Sequence, residues 1–247
     1  MKKIFIFLVA LSLISCTELE KVLNSLPDVE TNAGPTQTEI VKGLKQALSI
    51  GADTAVSRLS IIDGYYKDDL VKILLPKEAD VIIDNINKIP GGEKMLDKVI
   101  VSINRAAEDA SKEAAPIFKS SITSMTISDA LGILKGADNA ATEYLRKTTY
   151  TQLLNLYSPK IKTSVEKDLV GSVSTSDAWN GLTGSWNKFA NSVLGNLGGY
   201  EPVNINLEDY LTQKALDGLF VKIAEQEKQI RKDPFARVTD LLKKVFG

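Results

Sequence analysis

The sequence predicts an all-α fold: a single multi-helix domain, with a long C-terminal helix near its centre, behind a lipoprotein signal and a tether. Three observations predict it. Apolar residues recur three and four apart over long stretches, which is the spacing of one helix face. Helix-starting and helix-stopping residues stand at the ends of those stretches. Apolar runs short enough to be strands are few and scattered, and no repeat at solenoid spacing is present.

In order along the chain, residues 17–35 form a tether that opens on a short helix through Leu26 and ends at Asn32-Ala33-Gly34-Pro35, residues that punctuate. Globular structure begins at Thr36-Gln37-Thr38-Glu39, a capping-box pattern in which Thr36 and Glu39 satisfy each other's backbone amides. Ile40, Leu44, Ala47, Leu48, Ala55 and Leu59 then hold helical spacing until Asp63-Gly64 stops the run. Leu70 to Leu75 reads as a strand or a connection, and Lys77 to Ile89 as a second helix ended by Pro90-Gly91-Gly92. A longer helix is expected from Glu93 to Ser124, kinked or split by Pro116. Ser128 is placed to cap a short helix over Ala130 to Lys135. Asp138 is placed to cap the next, which runs through Tyr157 to Ser158-Pro159. The Gly- and Asn-rich stretch from Trp179 to Gly199 reads as a helix between flexible ends, with Trp179 and Trp186 on one face, as inward core anchors or, in the second reading, as a contact with membrane or carbohydrate. Asn206 starts the long C-terminal helix, and Asp233-Pro234 is a cap with proline at the first helical position. Leu241, Leu242, Val245 and Phe246 close the domain.

The C-terminal helix is apolar on most of its circumference, through Leu207, Tyr210, Leu211, Leu216, Leu219, Phe220, Val221 and Ile223. Such a helix lies inside a domain. Lys214, Asp217 and Glu225 are then partly enclosed and need partners. Gly218, unfavourable in a helix, signals close approach of another backbone. Asn104, Arg105, Glu108, Asp138, Arg146, Asp217 and Glu225 are the residues expected to line a polar pocket or to form helix-to-helix salt bridges and caps. The second reading pairs Arg105 with Asp109 at the solvent face. Tyr65-Tyr66 reads as turn packing or as a binding edge. The Asp and Asn groups lack the order of a calcium loop, so no metal and no cofactor is expected.

The N-terminus sets the compartment. Lys2 and Lys3 precede an apolar run, Ile4 to Leu11 with Leu13 and Ile14, of signal-peptide length and too short to span a bilayer. Leu13-Ile14-Ser15-Cys16 resembles a bacterial lipobox, which implies removal of residues 1–15 and lipid on Cys16. Two or three acyl chains hold a protein at a membrane where one holds only marginally. Thr17 after the cysteine, by resemblance to envelope lipoproteins, implies the outer membrane, with the face left open. Without Lys2 and Lys3 the chain keeps 28 of its 30 basic residues against 31 acidic ones. No stretch concentrates basic charge, so nucleic acid is not an expected partner. With no histidine there is no Ser-His-Asp or Cys-His relay and no imidazole metal site. The single cysteine is committed to lipid, which leaves carboxylates, lysine, tyrosine or serine for any catalysis.

The segments NRAAEDA (104–110), GADNAATEYLRKTT (136–149), KALDGLF (214–220), IAEQEKQIRKDPFAR and the terminal LLKKVFG together resemble an uncharacterised bacterial family, the domain-of-unknown-function family 4197, over residues 36–247. The resemblance implies a secreted or lipid-anchored helical domain and implies no reaction. Residues 173–204 match it least. The resulting expectation is a non-catalytic, lipid-anchored envelope protein that touches the membrane through Cys16 and binds an envelope protein or a small ligand. The alternatives are a hydrolase or lyase of envelope polysaccharide using Glu108, Glu143, Asp217 or Glu225, and a carrier of a lipid or other apolar molecule.

Overall fold

The structure, a computed structural model, describes residues 34–126 and 132–247. Cys16, the tether before Gly34, Ser128 and Ala130 lie outside the described residues. The chain divides into two units, residues 1–34 and residues 35–247, and the described helices all belong to the second.

Helix α1 (Gln37–Leu59) starts as expected. Thr36 Oγ1 accepts from the Glu39 amide at 3.2 Å, while the Glu39 carboxylate accepts from the Thr36 amide at 2.8 Å. Asp63, in the left-handed region at φ 70°, turns the chain just beyond the helix end. Gly64 follows because a Cβ there would lie 2.5 Å from the Arg58 carbonyl oxygen. Leu70 to Leu75 is a connection. Both backbone groups of Ile73 are satisfied by one side chain: Asn104 Oδ1 accepts from its N–H at 2.9 Å and Asn104 Nδ2 donates to its carbonyl at 2.8 Å. The helix expected over Lys77 to Ile89 is broken into a 3-10 turn (Lys77–Ala79), α2 (Asp80–Asp84) and a second 3-10 turn (Ile86–Lys88).

Pro116 splits the long helix into α3 (Gly92–Ser111) and α4 (Ala114–Thr123). Proline has no N–H for the carbonyl four residues back and its ring crowds it, so the break falls at Lys112-Glu113, one turn earlier. Helix α5 (Ala140–Val165) departs from expectation in the opposite sense, because Pro159 lies inside it. Tyr157, Ile161 and Val165 are all fully buried on either side of the proline, and that packing holds the helical path across one missing hydrogen bond. Ser174 caps α6 (Thr175–Ala190), and Ser192 caps α7 (Val193–Leu197). Trp179 and Trp186 point inward as expected, with Trp186 Nε1 donating to the Glu201 carbonyl at 3.0 Å.

Asn206 caps α8 (Leu207–Lys232), the long helix, through the Asp209 amide. Leu211, Ala215, Leu216, Leu219, Phe220 and Ile223 are buried along it, and it packs on α1, α5 and α3. It runs antiparallel to α1: Ala47 shares a small apolar cluster with Ile230, and Gly51 lies against Ile223 and Gln226. Asp233 then caps a 3-10 turn (Pro234–Ala236), and α9 (Asp240–Phe246) lies back on α1. The described residues hold no strand, only an isolated bridge between Val170 and Val173. The fold is all-α, with a near-central C-terminal helix.

Candidate binding grooves along α8

The seven polar residues expected to share a pocket fall into separate groups. Asn104 is fully buried and spent on Ile73. Arg105 pairs with Glu108 and Asp63 in place of Asp109. Its Nη1 lies 2.6 Å from Glu108 Oε2 and its Nη2 lies 2.6 Å from Asp63 Oδ1. Glu108, 3% exposed, also accepts from the amides of Tyr65 and Tyr66 through Oε1. The helix-facing carboxylate therefore holds the turn after α1, a structural task, and it has no free oxygen for chemistry. Lys67 and then Arg105 hold the Asp63 carboxyl below the usual range. Asp109 serves another junction. Burial pushes it up, but hydrogen bonds from Lys167, Lys112 and Ser164 outweigh that and keep it lowered.

Gly218 does mark a close approach, of a ring and not of a backbone. A Cβ there would stand 2.7 Å from Cε1 of Tyr65, which is fully buried. Tyr65 donates from its hydroxyl to the Ala215 carbonyl at 2.8 Å, and Ser111 bridges it to Tyr157. Burial drives the Tyr65 and Tyr157 hydroxyls well above their ordinary pKa, so both stay neutral. Tyr65 is turn packing, the first of the two readings of Tyr65-Tyr66. Tyr66 stacks beneath Lys72 Nζ at 4.4 Å from its ring centre.

Asp138 does not cap α5. It pairs with Lys232 at 2.5 Å and is lowered by it. The cap arrives from α8. Glu227 accepts from the amides of Ala141 (2.9 Å) and Thr142 (2.8 Å) and from the Thr142 hydroxyl. A carboxylate suits the positive end of the helix dipole, and Arg231 at 2.8 Å balances its charge. Glu227 was invisible to sequence reasoning, because it acts 86 residues from the amide it caps. Asp63 and Lys222 each pair with one neighbour in sequence, Lys67 and Glu225, and with one distant residue, Arg105 and Asp68, and only the distant halves were out of reach of sequence reasoning. Lys222, 7% exposed, bridges Asp68 at 2.6 Å and Glu225 at 2.9 Å.

Two open grooves lie along the outer face of α8. One groove of about 440 Å³ is lined by Asp138, Asn139, Glu143, Arg146, Phe220 and Glu225, with Ala224 in its wall. A second, of about 310 Å³, is lined by Leu70, Leu74, Tyr210, Lys214 and Asp217. Val221 borders both. Arg146 stands at their junction. It lies 4.7 Å over the Phe220 ring, with Nη1 2.7 Å from Asp217 Oδ1. Asp138, Arg146 and Glu225 are thus brought to one groove and Asp217 to its neighbour, while Asn104, Arg105 and Glu108 are not. A guanidinium seated on a ring beside a carboxylate, with apolar walls and Lys214 and Lys228 at the edges, is equipped for recognition. Among the described residues no three acidic or sulfur side chains converge as metal ligands would.

The model of the family described as protein of unknown function DUF4197 matches residues 34–247. No curated protein and no solved structure matches the chain. The capping box, the split at Pro116, the Glu227 cap and the α8 grooves all lie within the matched span, and the chain belongs to the DUF4197 family.

Proposed function

We propose that this is a lipid-anchored envelope protein, held at the outer membrane through Cys16, whose helical domain binds a partner protein or a small ligand in the grooves along α8. The observation that carries the binding role is the junction at Arg146, where a half-exposed cation, a ring and a carboxylate meet in an accessible groove. The anchor is supported by the order Leu13-Ile14-Ser15-Cys16 and by the single cysteine in the chain. Among the described residues no helix is long and apolar enough to cross a membrane.

The geometry favours binding over polysaccharide cleavage. Cleavage by paired carboxyls needs one that is protonated and one that is free, about 5–10 Å apart. Glu108 is spent on two amides and Arg105, Asp217 on Arg146, and Glu225 on Lys222. Glu143 is exposed and accepts from Asn139, and its groove neighbour Asp138 is held ionised by Lys232. The carrier alternative requires an internal apolar chamber. The large side chains of the core, Trp186, Tyr65, Tyr157 and Phe118, instead fill the interior.

Native mass spectrometry of the protein released gently from its own membranes tests the binding role. The wild-type chain is expected to retain a small molecule or a stoichiometric partner, and Ala224→Trp, which fills the larger groove from its wall, is expected to lose it. Equal retention by both chains would place binding elsewhere, and a bare wild-type chain would count against a ligand altogether.

A further inference from the structure

The turn after α8 carries a feature that the grooves do not explain. Phe235 is 94% exposed and Val238 is 68% exposed, on consecutive outward corners of one turn. The other four described phenylalanines are buried or half-buried, so this ring alone stands clear of the fold. The turn that presents it is fixed. Asp233 Oδ1 accepts from the Phe235 amide at 2.9 Å, and Arg237 donates to the carbonyls of Ile230 at 3.0 Å and Arg231 at 2.9 Å. Ala236, between them, packs onto the Ala47–Ile230–Leu242 cluster. These bonds fix the backbone that presents the ring.

Its surroundings carry several cations. Residues 228–247 hold Lys228, Arg231, Lys232, Arg237, Lys243 and Lys244 against Asp233 and Asp240; Arg231 is spent on Glu227 and Lys243 pairs with Asp240, while Lys228 and Arg237 stand outside any ion pair among the described residues. Lys232 and Lys244 lie against Asp138 and Glu39, yet they and Lys243 remain about half exposed. The position is also particular. Lys244 meets Glu39 in the first turn of α1, Val245 packs on Gly43, and Thr239 bonds Gln46. Helix α9 thus runs from the Phe235 turn, which packs at Ala47 near the middle of α1, back to the start of α1, where the domain begins nineteen residues after Cys16.

We propose that the Phe235–Val238 turn is a second membrane contact, which seats its ring and flanking cations in the headgroup layer of an anionic phospholipid bilayer. The proposal rests on the lipid anchor proposed above. One ring and a few cations hold weakly by themselves. A lipid on Cys16 raises the local concentration of the bilayer at the turn to the order of millimolar, where weak contacts are populated. The contact fixes which face of the domain meets the lipid.

The other exposed apolar tip, Val193, Leu194 and Leu197 on α7, serves as the control. It is at least 75% exposed, but no charge occurs from Asn191 to Tyr200, and it precedes the opposite end of α8. The mature lipidated chain is placed in vesicles of phosphatidylethanolamine with phosphatidylglycerol, or of phosphatidylcholine alone. A thiol-reactive, environment-sensitive fluorophore is carried by Phe235→Cys or by Leu194→Cys. The wild-type chain should take no label, because its sulfur is acylated. The label at 235 is expected to shift to the blue and to be quenched by brominated phosphatidylglycerol, with loss of both effects in phosphatidylcholine, while the label at 194 stays in water. A water-like signal at 235 in anionic vesicles, or quenching at 194 in its place, overturns the proposal. Labelling of the wild-type chain means instead that the anchor is wrong. Residues 35–247 of Phe235→Cys, a unit with its own core and then a single thiol, titrated with the same vesicles, decide the turn independently. Quenching once the vesicle lipid is raised to about millimolar, the concentration that the anchor would supply, keeps the proposal, and its absence there ends it.

Discussion

At the scale of single residues, Gly218 and Tyr65 compete for one space. The hydroxyl of Tyr65 is tethered to Ala215 and Ser111, so its ring has little room to yield to a Cβ at 2.7 Å. Helix propensity alone favours alanine over glycine by about 1 kcal/mol. The clash is expected to reverse that sign, since overpacking a filled core costs about 1–3 kcal/mol. Gly218→Ala is therefore predicted to lower the urea midpoint at an unchanged slope. A rise in the midpoint would show that the ring moves aside freely. Sequence reasoning noticed this glycine and named the wrong neighbour, because a missing side chain marks crowding without saying what crowds it.

At the scale of elements, the N-terminus of α5 is held by a residue from α8. Glu227 is 3% exposed, so removing it leaves Arg231 without its buried partner and two amides unsatisfied. Breaking a buried pair in this way costs about 3–5 kcal/mol. Glu227→Ala is predicted to lose most of that stability, with hydrogen exchange at Ala141 and Thr142 rising far more than at Leu153 in mid-helix. Uniform acceleration along α5 would mean that the cap is not local. The contrast with Thr36 shows what sequence can carry. Thr36 and Glu39 are three apart, so their cap is written in adjacent letters and is legible. Asn206 and Asp233 are legible for the same reason. Asp138 was the local choice for α5, but tertiary packing supplied a carboxylate already balanced by an arginine. Pro159 misled in the same way: its local rule ends a helix, and buried neighbours one turn away on both sides overrode it.

At the scale of the molecule, the charge network sets the response to acid. Glu39 is lowered to about 2 by Lys244 and Thr36, and Asp63, Asp109 and Asp138 are lowered by their own cations. A carboxylate lowered on folding contributes stability that is present above its unfolded pKa, about 4, and lost as pH falls through the folded value. With no histidine, no side chain with an ordinary pKa titrates between about pH 5 and 8. The thermal midpoint is predicted to be flat across that range and to fall below about pH 4. It should fall again above about pH 10, where the unfolded chain ionises tyrosines that Tyr65 and Tyr157 keep neutral when folded. A transition near pH 6.5 in scanning calorimetry would contradict this. The all-α class and the long central helix were legible because 3.6-residue spacing is a property of the chain itself. The division of the polar residues between a structural cluster and a groove was not, because it depends on how helices rotate against one another.

In the proposed arrangement one sulfur atom holds a helical binding domain at an envelope membrane. Growth of the native host with a radiolabelled fatty acid, followed by capture of the protein and of its Cys16→Ala variant, tests that most directly. Label is expected in the wild-type chain and none in the variant; equal label in both, or none in either, would contradict the arrangement.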